Sequence, residues 1–399
     1  MRKLNKTAAC GILAAALAAG TLSGCSKAID GTKTVATVGD EKVTLGLASY
    51  MTRDQQAQTM SYYNMLMSQY GVSGSASNVW DQKGDDGKTV GESSKDSVMK
   101  TINQLYVLKA HAADYDVTIT EDEEKAIKEA AAEFIKDNDE KILKKLAVSE
   151  DDIVTYLELV TIRSKMHDPM TADVDTEVSA NEKDQTRVTI VKVSTEGTEK
   201  DDDGNTIDLT DEEKAQKKDL AQQVLDKVKA SDDVANADMD ALAKEVDDSL
   251  SATAPAFTTA GSTDDTLDEA VQDAALELKD GEVADSVIEG DDGYYVVRLD
   301  KMLDEDATEN KEKTVISERK SDLFDSTLED WVKEEKIKVK DKVWDQITVT
   351  DSVSFVYKSA DSSDDTKSSD AQDSTEDTSS QDNSEDTTTE DTAAEDSAE

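Results

Sequence analysis

Near Arg187 the spacing of apolar residues changes, and it changes back after Leu299, which obliges this 399-residue chain to fold as a helical unit interrupted by a mixed one. Before the switch, Val98, Ile102, Leu105 and Tyr106 recur three and four residues apart, so a helix buries one face there. Thr120 with Glu123 forms a capping box ahead of Ile127, Ala130, Ala131 and Phe134, and Ser149 opens a helix carrying Ile153, Tyr156, Leu157 and Val160. A segment rich in Met and Tyr, Leu45 to Tyr70, also reads as a helix. Gly71 to Ser94, with its Gly, Ser and Asp clusters, reads as a loop, and Val35 to Thr44 as two short strands around Gly39-Asp40.

After the switch, Val188-Thr189-Ile190-Val191-Lys192-Val193 is β-branched and strand-like. Thr210 with Glu213 caps a helix whose apolar face is Ala221, Val224, Leu225 and Val228; a second helix carries Met239, Leu242, Ala243 and Val246, and a third Leu267, Val271, Ala274 and Leu278. Gly293 to Leu299 supplies a closing strand, with weaker strands expected near Ala256 to Thr259 and Val283 to Ile288. The order β, α, α, α, β is that of a compact α+β domain. The long helix marked by Val315, Ile316, Arg319, Leu323, Leu328, Trp331 and Val332 has no place in that domain and is expected to return to the N-terminal helices. The fold class is therefore α+β: a mainly helical domain built from residues 25–186 and 303–358, an α+β domain inserted at 187–302, and a tail at 359–399.

No thiol is left to staple this fold. Of the two cysteines, Cys10 falls in the leader and Cys25 ends it: Arg2, Lys3 and Lys6 precede an apolar stretch from Gly11 to Gly20 and then Leu22-Ser23-Gly24-Cys25. About 15 apolar residues are too few to span a bilayer comfortably. The ending resembles a lipobox, which implies that residues 1–24 are a lipoprotein signal peptide and that Cys25 carries a diacylglyceryl thioether. The mature chain then lies outside the membrane, lipid-anchored, and is held together by packing alone.

A formal charge of −47 is the second constraint. Between Ala360 and Glu399 there are 15 acidic residues and the single Lys367, leaving about −33 on the rest. Such a surface repels nucleic acid and anionic lipid. The tail has no large apolar residue with which to offset its ordering entropy and is expected to be disordered. His111 and His167 are the only histidines, and neither has a His or Cys partner at metal-ligand spacing. Asp201-Asp202-Asp203-Gly204-Asn205 begins like a calcium loop, but Thr210 stands where the bidentate Glu belongs. No metal and no cofactor are expected.

Three segments resemble one family, the extracytoplasmic foldases of the PrsA and SurA type. Val35 to Thr44 resembles their first strand, turn and strand. Asp116-Val117-Thr118-Ile119-Thr120-Glu121-Asp122-Glu123 resembles a strand and capped helix of their N-terminal domain. Leu276 to Val283 and Gly293 to Leu299 resemble the ending of a parvulin-type peptidyl-prolyl isomerase. The resemblance implies a helical chaperone domain made from both ends of the chain, an inserted isomerase domain, unfolded exported proteins as partners, and a Gram-positive cell surface as location. Parvulins usually carry two histidines, one in the first strand and one in the last. Here Val188 to Val193 has none, and Tyr295 stands where the second belongs. By resemblance, Asp247, in Asp247-Asp248-Ser249, and Tyr295 are the remaining catalytic candidates and Phe257 is a pocket aromatic. Solvated-turn and core-packing readings stand beside these roles. Isomerase activity is expected to be weak or lost; an active isomerase and a surface scaffold are the competing readings. For holding clients, a cleft between the two domains is expected, suited by Met51, Met60, Met65 and Met67, with basic clients favoured; at helical spacing the same methionines read equally as core.

Overall fold

A computed structural model describes residues 15–17, 29–69, 79–198, 206–259, 267–349 and 355–357. Cys25, the lipobox, the Asp201–Asn205 loop and the acidic tail lie outside the described residues. A short strand β1 (Ala15–Leu17) pairs antiparallel with β10 (Phe355–Tyr357).

The N-terminal part begins with β2 (Thr34–Val38) and β3 (Glu41–Thr44), joined by a turn in which Gly39 takes φ +56°. The helices α1 (Leu45–Gln69), α2 (Val90–His111), α3 (Glu121–Asp137), α4 (Glu140–Leu146) and α5 (Glu150–Met170) follow. The capping boxes at Thr120–Glu123 and Ser149–Asp152 are both formed. The segment read as a loop to Ser94 is shorter than expected, because Thr89 and Glu92 make a further capping box that starts α2 at Val90. Asp152 does more than cap its own helix. It is buried and accepts from Thr44 Oγ1 at 2.6 Å, which fastens the start of α1 to α5. A Cβ at Gly46 would come within 2.2 Å of Asp152 Oδ2, so glycine is required there.

The chain then runs through α6 (Ala180–Lys183) into β4 (Gln185–Ser194), the central strand of a second sheet. Next come α7 (Asp211–Lys229), α8 (Met239–Lys244), β5 (Ala252–Thr253), β6 (Ala256–Thr258), α9 (Glu269–Leu276), β7 (Ile288–Glu289) and β8 (Gly293–Lys301). The strand order is β5-β4-β8-β7 with β6 also on β4, and every pairing is antiparallel. The second and third helices end earlier than their apolar spacing predicts, since Val246 and Leu278 lie in turns beyond α8 and α9.

The long helix α10 (Glu305–Glu334) then leads to β9 (Ile337–Val339) and α11 (Asp341–Trp344). As the sequence predicts, this end returns to the beginning. Phe324, Leu328, Trp344 and Ile347 are buried in the same core as Val35, Ile102, Leu108 and Ile153. Strand β9 pairs with β2, giving a three-stranded sheet in the order β3-β2-β9.

The two passages between the parts run side by side. Arg319 of α10 donates from Nη1 to the carbonyls of Asp175 and Glu177, each at 3.0 Å, and from Nη2 to Glu182 at 2.6 Å. Lys183 meets Glu312 at 2.9 Å, and the Gln185 amide donates to Thr308 Oγ1 at 3.0 Å. Asp304 is buried, accepts from the Ala307 amide to cap α10, and takes Arg187 Nε from β4.

Candidate functional site

Side chains along β4 and β8 alternate between the two faces of the second sheet. Val191, Val193, Tyr294 and Val296 share a core with Val224 and Leu225 of α7 and Met239 of α8. On the other face Val188, Ile190, Tyr295, Val297 and Leu299 pack with Phe257 of β6 and with Val271 and Ala275 of α9. Tyr295 and Phe257 are thus brought to one face, 4% and 0% exposed.

The Tyr295 hydroxyl donates to Asp292 Oδ1, and Lys192 Nζ donates to Asp292 Oδ2. Strand register explains the cluster: Lys192 on β4 lies directly opposite Tyr295 on β8, and its ammonium stands 5.9 Å from the ring centroid. Asp292 closes the turn just before β8. Burial, and then the Asp292 carboxylate, push the Tyr295 phenol well above its ordinary range. The bonds from Lys192 and then Tyr295 hold the Asp292 carboxyl below its own. Gly290 permits the arrangement, because a Cβ there would lie 2.4 Å from Asp268 Oδ2 and 2.8 Å from Tyr295 Cε2. Asp268 in turn caps α9 through the Ala270 amide and holds the Asp291 amide at 2.7 Å.

Lys192 and Asp292 escaped the sequence reading. The available signal was a lysine within a β-branched run and an aspartate three residues before Tyr295. Chemically the cluster is self-satisfied: the phenolic proton is committed to a carboxylate that an ammonium already neutralises. What the hydroxyl retains is acceptor capacity on its oxygen.

Asp247 is not brought to this face. It lies in the turn after α8, whose Leu250 packs in the core shared with α7. Its carboxylate accepts from Ser249 Oγ at 2.6 Å and from the Ser249 amide at 2.8 Å; these bonds hold its pKa low, with Lys217 of α7 adding a smaller pull. Both histidines lie away from the second sheet, against α10. The His111 ring stacks on Trp331 at 4.1 Å, and His167 lies 5.5 Å from Phe324. Among the described residues no three His, Cys, Asp or Glu side chains are grouped to hold a metal.

The four methionines of the expected cleft do not line one surface. Met51 is buried in the N-terminal core, Met60 and Met67 are half-buried, and Met65 is 62% exposed. All four ride on α1, which packs against α2 and α5.

Residues 200–312 match the family model of the PPIC-type PPIase domain. The match begins after β4 and runs into the first turns of α10, so the strand at the centre of the sheet precedes it. Among solved structures, the chain is similar to the foldase protein PrsA of Lactococcus lactis at 14% identity, covering 78% of this chain and 96% of that one, with a TM-score of 0.33. PrsA of Streptococcus pneumoniae is matched at 17% identity, over 62% of this chain and 87% of that one, with a TM-score of 0.30. The peptidylprolyl isomerase PrsA of Bacillus cereus is matched at 18%, over 66% and 94%, with a TM-score of 0.29. No curated protein matches. The chain carries a parvulin-like PPIC-type domain set between helices that share one core.

Proposed function

We propose that this chain is a lipid-anchored extracytoplasmic foldase of the PrsA and SurA type, which holds unfolded exported proteins and whose isomerase activity is weak or lost. One observation carries the reading: in a domain of the prolyl isomerase family, the Tyr295 hydroxyl is bound to Asp292 and Lys192 neutralises that carboxylate, with no histidine on the face. Turning a prolyl bond means crossing a barrier of roughly 18–20 kcal/mol. A catalyst must place uncommitted polar groups against the twisted amide. A phenol whose proton already has a charged acceptor offers little gain in the transition state over the ground state.

In this reading residues 25–186 and 303–358 form the holding domain and residues 187–302 the parvulin-like one. Phe257 and Tyr295 make the floor of a proline-binding face, and Asp247 serves its own turn. Among the described residues no helix is long and apolar enough to cross a membrane, and the thioether on Cys25 is the proposed attachment.

The holding role is tested by light scattering. A chemically unfolded protein is diluted from denaturant with and without the full chain at equal molarity. The expected result is at least a threefold fall in scattering. Equal scattering would leave a scaffold, with no chaperone role. An active isomerase remains the second reading, because the family match is to an isomerase domain.

A further inference from the structure

Charged residues make up 34% of the chain, so about five would be expected among the fifteen residues from Gln55 to Gln69, and there are none. These residues form the second half of α1, whose first half is buried against the N-terminal core. Exposed helix faces normally carry charge. This one carries Tyr62 and Met65, 63% and 62% exposed, with Met60, Tyr63, Leu66 and Met67 half-buried beside them. The helix is gripped at one end and presents an uncharged Met and Tyr surface at the other. Two large apolar side chains exposed three residues apart on one helix, ringed by uncharged polar residues such as Ser61 and Asn64, offer a place to bind, and thioethers and phenol rings accommodate many sequences.

We infer that the Met60–Met67 surface of α1 is where the client docks, and that the preferred clients are extended segments in which apolar side chains are interspersed with Lys and Arg. The inference rests on the holding role proposed above and names the chemistry of its substrate. Charge selects the occupant: a chain of formal charge −47 attracts basic segments and repels acidic ones. Because the patch itself holds no carboxylate, apolar docking does not require stripping water from an ion. The surrounding acids supply attraction at a distance and the patch supplies contact, so binding weakens with salt without vanishing.

The test is fluorescence anisotropy with the full chain and two labelled 20-residue unstructured peptides. Both carry the same leucines and phenylalanines, interspersed with lysine in one and aspartate in the other. The basic peptide should bind at least tenfold more tightly. The double variant Tyr62→Ser/Met65→Ser should weaken its binding at least fivefold, with unchanged circular dichroism. Leu303→Ser removes an apolar residue that is 51% exposed elsewhere and should leave binding unchanged. Equal affinity for the two peptides, or a double variant that binds like the parent, overturns the inference. If neither peptide binds while aggregation is still suppressed, the inference fails and the holding role stands; if suppression also fails, both fall.

Discussion

Tyr295 combines a buried position on the second sheet with a hydroxyl committed to a charged partner. By the sequence resemblance it stands where a histidine is expected; in the structure it keeps a buried position on the sheet and finds a partner in Asp292. A histidine could exchange a proton near neutral pH, whereas this phenol is driven further from neutrality by burial and by the carboxylate it serves. A raised phenol pKa favours the folded chain below the unfolded value of about 10, and that contribution is lost as pH rises through the folded value. Burial also pushes the Tyr106 and Tyr156 phenols up to about 12, so absorbance titration of the folded chain should show a late step shared by three tyrosines, and Tyr295→Phe should shrink that step by one residue. In urea the same variant should lose about 1.5–3 kcal/mol, the range for a buried hydrogen bond to a charged group.

At the scale of elements, the decisive features are the caps and the double passage between the two parts. The Glu182 carboxyl is pulled down to about 2, first by Ser179 and then by Arg319. A depressed carboxyl stabilises the fold above its unfolded value of about 4.5 and ceases to as pH falls through the folded one. Limited proteolysis should find the segment from Thr171 to Asp184 increasingly open between pH 4.5 and 2 in the parent. Arg319→Ala should show the same opening at neutral pH. Leu328, 2% exposed, joins α10 to the N-terminal core, and Leu328→Ala should cost about 2–5 kcal/mol in thermal or urea unfolding. Much of this level was legible beforehand. Thr120, Ser149 and Thr210 announce their helices because a capping box is a local pattern. Thr89 announces one as well, with Glu92 as its partner, but it sits among Gly and Asp residues that read as loop. The Tyr295, Asp292 and Lys192 cluster was not legible, since Lys192 arrives by strand register from a distant part of the chain. The turn at Asp247 was legible as a turn, but sequence order does not say on which side of the sheet a turn will pack.

For the whole molecule, the sequence pattern of helix, mixed domain and returning helix is the architecture observed, with α10 and β9 closing onto the first strands and helices. In the proposed function this frame holds unfolded chains, and the inserted domain is a proline-binding face with little catalysis. The decisive measurement is the isomerisation rate of a short proline peptide with the full chain present, set against the uncatalysed reaction. A rate within about twofold of the uncatalysed one, where turnover takes tens to hundreds of seconds, is expected. An acceleration of a hundredfold or more, lost in Tyr295→Phe, would contradict the proposal and make the phenol a catalytic group.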